Sequence, residues 1–360
     1  MGIKLSLIYF TIFLIIPIVT AQFPIECLTN ELPKSFTYTL TTPDDMTISV
    51  EERGNILKPT IIFTHGFFSN KLAWETTFTS HDMFDNYHLV RWDLRGMGES
   101  SMDGDINKYN NLELYGQDVD LIVNNIKKRK GKGANSKIIL VTWSTGSIVT
   151  LSYLNNTGET DVDGYVSVGN NFISFQTEGV FVEYSKVTIG SIVTSHTYIY
   201  ILDSIHNLIK SFPSLNSQFT FQPSILSFFL GIGAYSPSES RSGYGELNYD
   251  YTETYKNLLI PTLNIYGNDD RVVNPVHSQT IANLRPVDGL NQILAYNGVG
   301  HIPMWENPKK FENDLDNWIK NSVLNPKHQK LPTPKLPQPP PQPPQPPQPQ
   351  QPQQKRRLRK

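Results

Sequence analysis

One cysteine, Cys27, stands in a chain of 360 residues, so no intrachain disulfide can form and stability must come from a packed core. A body of this length can bury such a core without covalent staples. The sequence has no His/Cys/Asp/Glu cluster at metal-ligand spacing, and no metal is expected. It also has no glycine loop of the kind that cradles phosphates. Gly96-Met97-Gly98 is too short and wrongly placed for a nucleotide fingerprint, so no cofactor is expected. Nor does one sign of charge dominate. A formal net charge of −2 gives no electrostatic footprint for nucleic acid, and none is expected as a partner.

The two ends of the chain lack the composition of a core. Residues 1–20 are nearly all apolar, with Lys4 ahead of the run Leu5–Val19. A charged start, an apolar middle and the small residues Val19-Thr20-Ala21 before Gln22 form the pattern of a cleaved signal peptide over 1–21. The run also approaches the ~17 residues that span a bilayer, so an uncleaved anchor is the alternative. Either reading sends the rest of the chain to the secretory lumen or out of the cell, where Cys27 reads as an idle or buried thiol. At the other end, 327–360 is a Pro/Gln repeat closing in Lys355-Arg356-Arg357-Leu358-Arg359-Lys360. With almost nothing apolar to bury, it is expected to be disordered and partly polyproline II. It holds eight cations and no acid, against 23 basic and 33 acidic residues in the rest of the chain. A basic arm of this kind could touch a membrane or an anionic polymer; a solvated spacer is the plainer reading. Membrane contact is expected only through this arm or an uncleaved N-terminal anchor. Asn155-Asn156-Thr157 is a glycosylation sequon, usable at Asn155 if its loop is exposed.

Between the ends, short apolar runs rich in β-branched residues alternate with helical patterns. Strands are expected at 35–40, 47–51, 60–64, 88–92, 137–143, 164–168, 261–266 and 292–296. The first two alternate apolar with polar, as in an antiparallel edge ribbon. The later ones are continuously apolar, as in parallel strands covered on both faces. Helical patterns lie at 112–128, 146–154, 277–284 and 308–323. Such alternation implies an α/β fold built on a doubly wound, mostly parallel sheet. The core is read as two pieces, 22–171 and 257–326. The stretch 172–256 breaks the rhythm: it is aromatic-rich and poor in strands, with helical signal near 196–212 and a very apolar run at 223–230. It reads as a cap inserted over the carboxyl edge of the sheet, where such folds bind ligands.

Four motifs fall at strand ends. Thr142-Trp143-Ser144-Thr145-Gly146 turns from strand directly into helix, which pushes the Ser144 side chain into a cleft and requires small neighbours. His65-Gly66-Phe67 follows an early strand and could bring the Phe67 N–H beside that of Thr145 as an oxyanion hole. The loop Gly267-Asn268-Asp269-Asp270 offers two carboxylates, and Gly298-Val299-Gly300-His301 presents a histidine. A serine needs a base to take its proton, and the base needs a carboxylate to fix its tautomer.

Together with Asp93-Leu94-Arg95-Gly96-Met97-Gly98-Glu99-Ser100, these motifs resemble those of the α/β-hydrolase fold superfamily over about 37–323, in its cap-bearing branch of serine esterases and related hydrolases. The resemblance implies Ser144 as nucleophile, His301 as base and Asp270 as acid, with Asp269 the fallback because the G-x-x-D spacing from Gly267 selects Asp270. Phe67 and Thr145 are the implied oxyanion donors. Asp93 and Arg95 are read as locking their loop. Thr142 and Ser147 stand where the family's pattern has glycine. The resemblance implies a serine hydrolase acting on an ester or similar carbonyl compound, an apolar small molecule if the aromatics of the insertion line its site. An aminopeptidase, thioesterase or lipid hydrolase on the same triad is the alternative within enzymes. A catalytically silent binding module is the alternative outside them.

Overall fold

The structure, a computed structural model, describes residues 34–131, 136–174, 176–195, 197–217, 219, 221–234, 236–286 and 290–325. The expected signal segment 1–21, Cys27 and the Pro/Gln tail lie outside the described residues.

Eight strands form one sheet: β1 (Phe36–Thr41), β2 (Thr47–Arg53), β3 (Thr60–Thr64), β4 (His88–Trp92), β5 (Ile138–Trp143), β6 (Gly164–Val168), β7 (Thr262–Gly267) and β8 (Asn291–Tyr296). Their spatial order is β1-β2-β4-β3-β5-β6-β7-β8. β1 and β2 pair antiparallel and β2 meets β4 antiparallel, while every pairing from β4 through β8 is parallel. The α/β architecture read from the sequence is therefore present. Of the two alternating runs, the first became the edge strand β1, while the second became β2, buried through its middle. The continuously apolar runs became β3 to β7, buried along their whole length, except that the last became the opposite edge strand β8, only partly buried.

Helices cover both faces. Leu112–Lys130 begins where the Asn111 side chain accepts the Glu113 N–H, and its last turn carries Lys127, Lys128, Arg129 and Lys130, the signs a helix dipole favours at that end. Its face Tyr115, Val119, Ile122 and Ile126 is buried. Gly116 lets it approach Gly146–Thr157 closely, since a Cβ there would lie 2.9 Å from Ser152 Oγ. The helix expected at 308–323 is Pro308–Trp318 followed by a wider π turn, Ile319–Leu324. Gly164 of β6 leaves room beneath it for Trp318 and Val323.

Among the described residues between β6 and β7 lie five helices, from Glu183–Thr194 to Thr252–Lys256. The two ends of this insertion are tied together by an antiparallel bridge between Ile173 and Asp250 and by Tyr251 N–H donating to Phe172 O at 2.9 Å. Phe172, Tyr244 and Tyr255 pack into the same buried cluster as β4 and β5, so the insertion shares core with the sheet.

The loop after β4 is locked by charge. Asp93 accepts from Lys71 Nζ at 2.7 Å, from Lys71 N–H at 2.6 Å and from Glu99 N–H at 2.9 Å. Arg95, fully buried, pairs with Asp118 at 2.7 Å and Asp44 at 3.0 Å. Replacing Arg95 by Leu strands the Asp118 carboxylate in the interior without a charge partner. Chemical denaturation of Arg95→Leu should show a loss of about 3–5 kcal/mol in unfolding free energy.

Candidate active site

β5 delivers the chain to Ser144, and the helix Gly146–Thr157 starts two residues later. The reversal is so tight that Ser144 takes φ +53°, a left-handed conformation that costs an L-residue about 1–3 kcal/mol and persists only where the surroundings hold it. The holding bonds are Ser144 N–H to Val168 O at 2.8 Å and Ser147 N–H to Ser144 O at 3.0 Å. Space decides the neighbours. A Cβ at residue 146 would stand 2.6 Å from His65 O, and one at residue 66 would press on Ser144 Cβ and the Trp143 ring. Thr142 and Ser147, where glycine was the pattern, answer one another: Thr142 Oγ1 lies 3.1 Å from Ser147 Oγ, and Ser147 Oγ 3.1 Å from Ser167 Oγ. Both hydroxyls are buried and partnered.

The candidate acid and base, Asp270 and His301, follow the ends of β7 and β8. Asp270 Oδ2 lies 2.7 Å from His301 Nδ1, and its Oδ1 accepts the N–H groups of Val272 at 2.8 Å and Val273 at 3.0 Å. Both side chains are buried. Asp269 instead accepts from Ser214 Oγ and Asn216 Nδ2, both at 2.9 Å, and is turned toward the insertion. His301 is fixed through its backbone, N–H to Phe212 O at 2.6 Å and C=O from Trp143 Nε1 at 2.8 Å. Its ring packs against both Trp143 and Phe212, which also meet each other edge-on. Gly169 leaves room for it, since a Cβ there would approach the imidazole to 3.0 Å.

Ser144, Thr145 and His301 line one small cavity of about 30 Å³, walled by Phe67, Phe181, Leu208, Phe212 and Tyr244 among others. Among the described residues, no hydrogen bond joins the Ser144 hydroxyl to His301; the two meet across this space. Of the expected oxyanion donors, the Thr145 N–H opens a helix, where backbone N–H groups have no acceptor within the helix. The Phe67 N–H is engaged, donating to Thr145 Oγ1 at 2.6 Å. Asn155 is exposed, in the last turn of its helix rather than on a loop, and its side chain accepts from Thr254 Oγ1 at 2.9 Å.

Two supporting residues had gone unread in the sequence. Glu306, inside the histidine motif, accepts Gly300 N–H at 2.8 Å through one oxygen and Ser214 N–H at 3.0 Å through the other, clamping the His301 loop to the insertion. Burial raises its pKa. Lys71, the partner of Asp93, follows His65-Gly66-Phe67 by four residues; a lone surface-type cation gave no signal of burial. His65 itself is structural: Nε2 accepts Leu94 N–H at 3.0 Å, and Nδ1 donates to Gly66 O at 2.7 Å. Among the described residues, no group of three or more His, Cys, Asp or Glu is placed to hold a metal.

The chain matches the family model described as alpha/beta hydrolase fold over residues 59–308. It belongs to the α/β-hydrolase fold family. Lipase 3 of Moraxella sp. (strain TA144) is similar to this α/β-hydrolase, at 24% identity over 292 residues, 77% of this chain and 81% of that protein. A shorter match, 28% identical over 127 residues and 35% of this chain, is to "Probable oxidoreductase EphD" of Mycobacterium tuberculosis; it spans only 20% of that protein's length. Among solved structures, esterase RhEst1 from Rhodococcus sp. ECU1013 superposes with a TM-score of 0.69 at 21% identity, covering 79% of this chain and 99% of that one. The esterase EaEST from Exiguobacterium antarcticum gives 0.67 at 16%, covering 79% and 100%. At such identities the structures share the fold.

His65 supplies a pH dependence. Burial pushes its pKa down to about 4, so the folded protein keeps it neutral where the unfolded chain, near 6.5, takes up a proton. The resulting stability is present above pH 6.5 and is lost as pH falls toward 4, by up to about 3 kcal/mol. His277, also lowered to about 4 by burial, acts in the same direction. Urea unfolding at pH 7, 5.5 and 4 should show this decline, and it should be shallower in His65→Gln.

Proposed function

We propose that this α/β-hydrolase is a serine hydrolase that cleaves a carboxylic ester through an acyl-enzyme. The observation that carries the reading is the buried Asp270–His301 pair at 2.7 Å, facing the same cavity as a serine held at φ +53°. In the proposed cycle Ser144 Oγ attacks the acyl carbon and its proton passes to His301 Nε2. Asp270 fixes the tautomer that leaves Nε2 free and stabilises the imidazolium. The Thr145 hydroxyl turns aside, and the N–H groups of Phe67 and Thr145 receive the oxyanion. Collapse breaks the bond to the alkoxy oxygen, which takes the proton from His301 Nε2. A water, deprotonated by His301, then attacks the acyl carbon; collapse releases the acid and returns the proton to Ser144.

The cavity supports an apolar substrate with a short acyl group, since about 30 Å³ is the space of roughly two waters. The names of the similar lipase and esterases agree with ester cleavage. The signal-like segment 1–21 supports action in the secretory lumen or outside the cell.

Turnover of p-nitrophenyl acetate against the octanoate tests this reading. The wild type should prefer acetate, Ser144→Ala should fall to background, and Asp270→Asn should lose about 10⁴-fold in kcat. A Ser144→Ala protein as active as wild type would refute the assignment. A folded wild type inert to all esters would favour the silent module.

A further inference from the structure

Tyr244 occupies an unusual position on the wall of the cavity. It lies in the helix Ser238–Glu246 of the insertion, and that helix is seated firmly on the core. Ser240 packs where Gly96 has no side chain, and Gly243 lies against Tyr109, in both cases closer than any Cβ would permit. The Tyr244 ring stacks on Phe67, with centroids 3.6 Å apart and planes 20° apart, and meets Tyr115 edge-on. Its side chain is 1% exposed, yet its hydroxyl makes no well-formed hydrogen bond, with the Thr145 and Tyr249 side chains beside it. Buried hydroxyls are nearly always bonded, and one that is not calls for an explanation.

Thr145 supplies it. Its Oγ1 already accepts the Phe67 N–H, so the Phe67 donor and the Tyr244 hydroxyl both point toward the same side chain, next to Ser144. We propose that the Tyr244 hydroxyl is a third hydrogen-bond donor of the oxyanion hole, supplied by the insertion, and that it bonds the carbonyl oxygen of the substrate once that oxygen displaces the Thr145 hydroxyl. No proton is transferred in this step: the phenol donates a hydrogen bond that strengthens as negative charge gathers on the oxygen, and it weakens again when the intermediate collapses. Burial raises the phenol pKa well above its ordinary value, which keeps the donor protonated across the working range. The oxyanion hole then depends on the insertion as well as the sheet, and a displaced insertion leaves it one donor short.

The inference rests on Ser144 as nucleophile. Tyr244→Phe keeps the ring on Phe67 and removes only the hydroxyl. Its kcat on p-nitrophenyl acetate should fall about 10²-fold, the scale for one lost oxyanion donor, with KM changed less than twofold. Its Tm should be unchanged or higher, because an unpartnered buried hydroxyl has been removed. A Tyr244→Phe enzyme within twofold of wild type in kcat overturns the third donor while leaving the nucleophile in place. A drop in Tm that accounts for the lost activity also overturns it, by making Tyr244 structural. If Ser144→Ala retains wild-type activity, the functional reading fails and this proposal with it.

Discussion

The left-handed backbone of Ser144 is the constraint around which the rest is arranged. An L-residue resists φ +53°, so the conformation must be imposed. The sheet imposes it from one side, through the Ser144 N–H bound to Val168 O on the neighbouring strand. The helix that follows imposes it from the other, and the His65 loop closes over Gly146 so tightly that no other residue fits. The same packing that strains the turn brings the backbone of Phe67 beside Thr145, because the His65 loop cannot touch Gly146 without running past the start of the helix. The candidate nucleophile and the proposed oxyanion site share one crowded place, where the turns that follow the neighbouring parallel strands β3 and β5 pack together.

The proposed base is held by a different logic. His301 stands at the end of β8, and much of what fixes it belongs to the insertion: Phe212 O takes its N–H, the Phe212 ring packs on its imidazole, and Glu306 ties Gly300 to Ser214. The insertion therefore completes the site as well as roofing it. Lys71 with Asp93 and Arg95 with Asp118 act further back, as buried ion pairs that fix the loops beneath this arrangement.

Much of this was legible in the sequence, and the limits have physical reasons. β3, β4 and β6 span the residues expected of them, because a strand buried on both faces reads as a short, largely apolar run. The choice between Asp269 and Asp270 followed from spacing, and the structure turns the two in opposite directions, one to the insertion and the other to His301. Thr142 and Ser147 looked like two separate departures from glycine; five residues apart, they bond to each other across the turn. What the sequence did not disclose depends on contacts across long separations. Nothing local marks Tyr244 as lying against Phe67, or Glu306 as reaching Ser214. The bond from Phe67 N–H to Thr145 Oγ1 spans 78 positions and rests on a rotamer. Motifs report the backbone that must be built, and the side chains that meet there from elsewhere stay invisible until it folds.

The central claim is that the strained turn delivers a working nucleophile. Treating the protein with a fluorophosphonate and mapping the adduct by peptide mass spectrometry tests it most directly. The account predicts one adduct per chain, on Ser144, formed quickly in the wild type and lost in His301→Ala. A folded wild type that takes no label, or carries it on another serine, would contradict it.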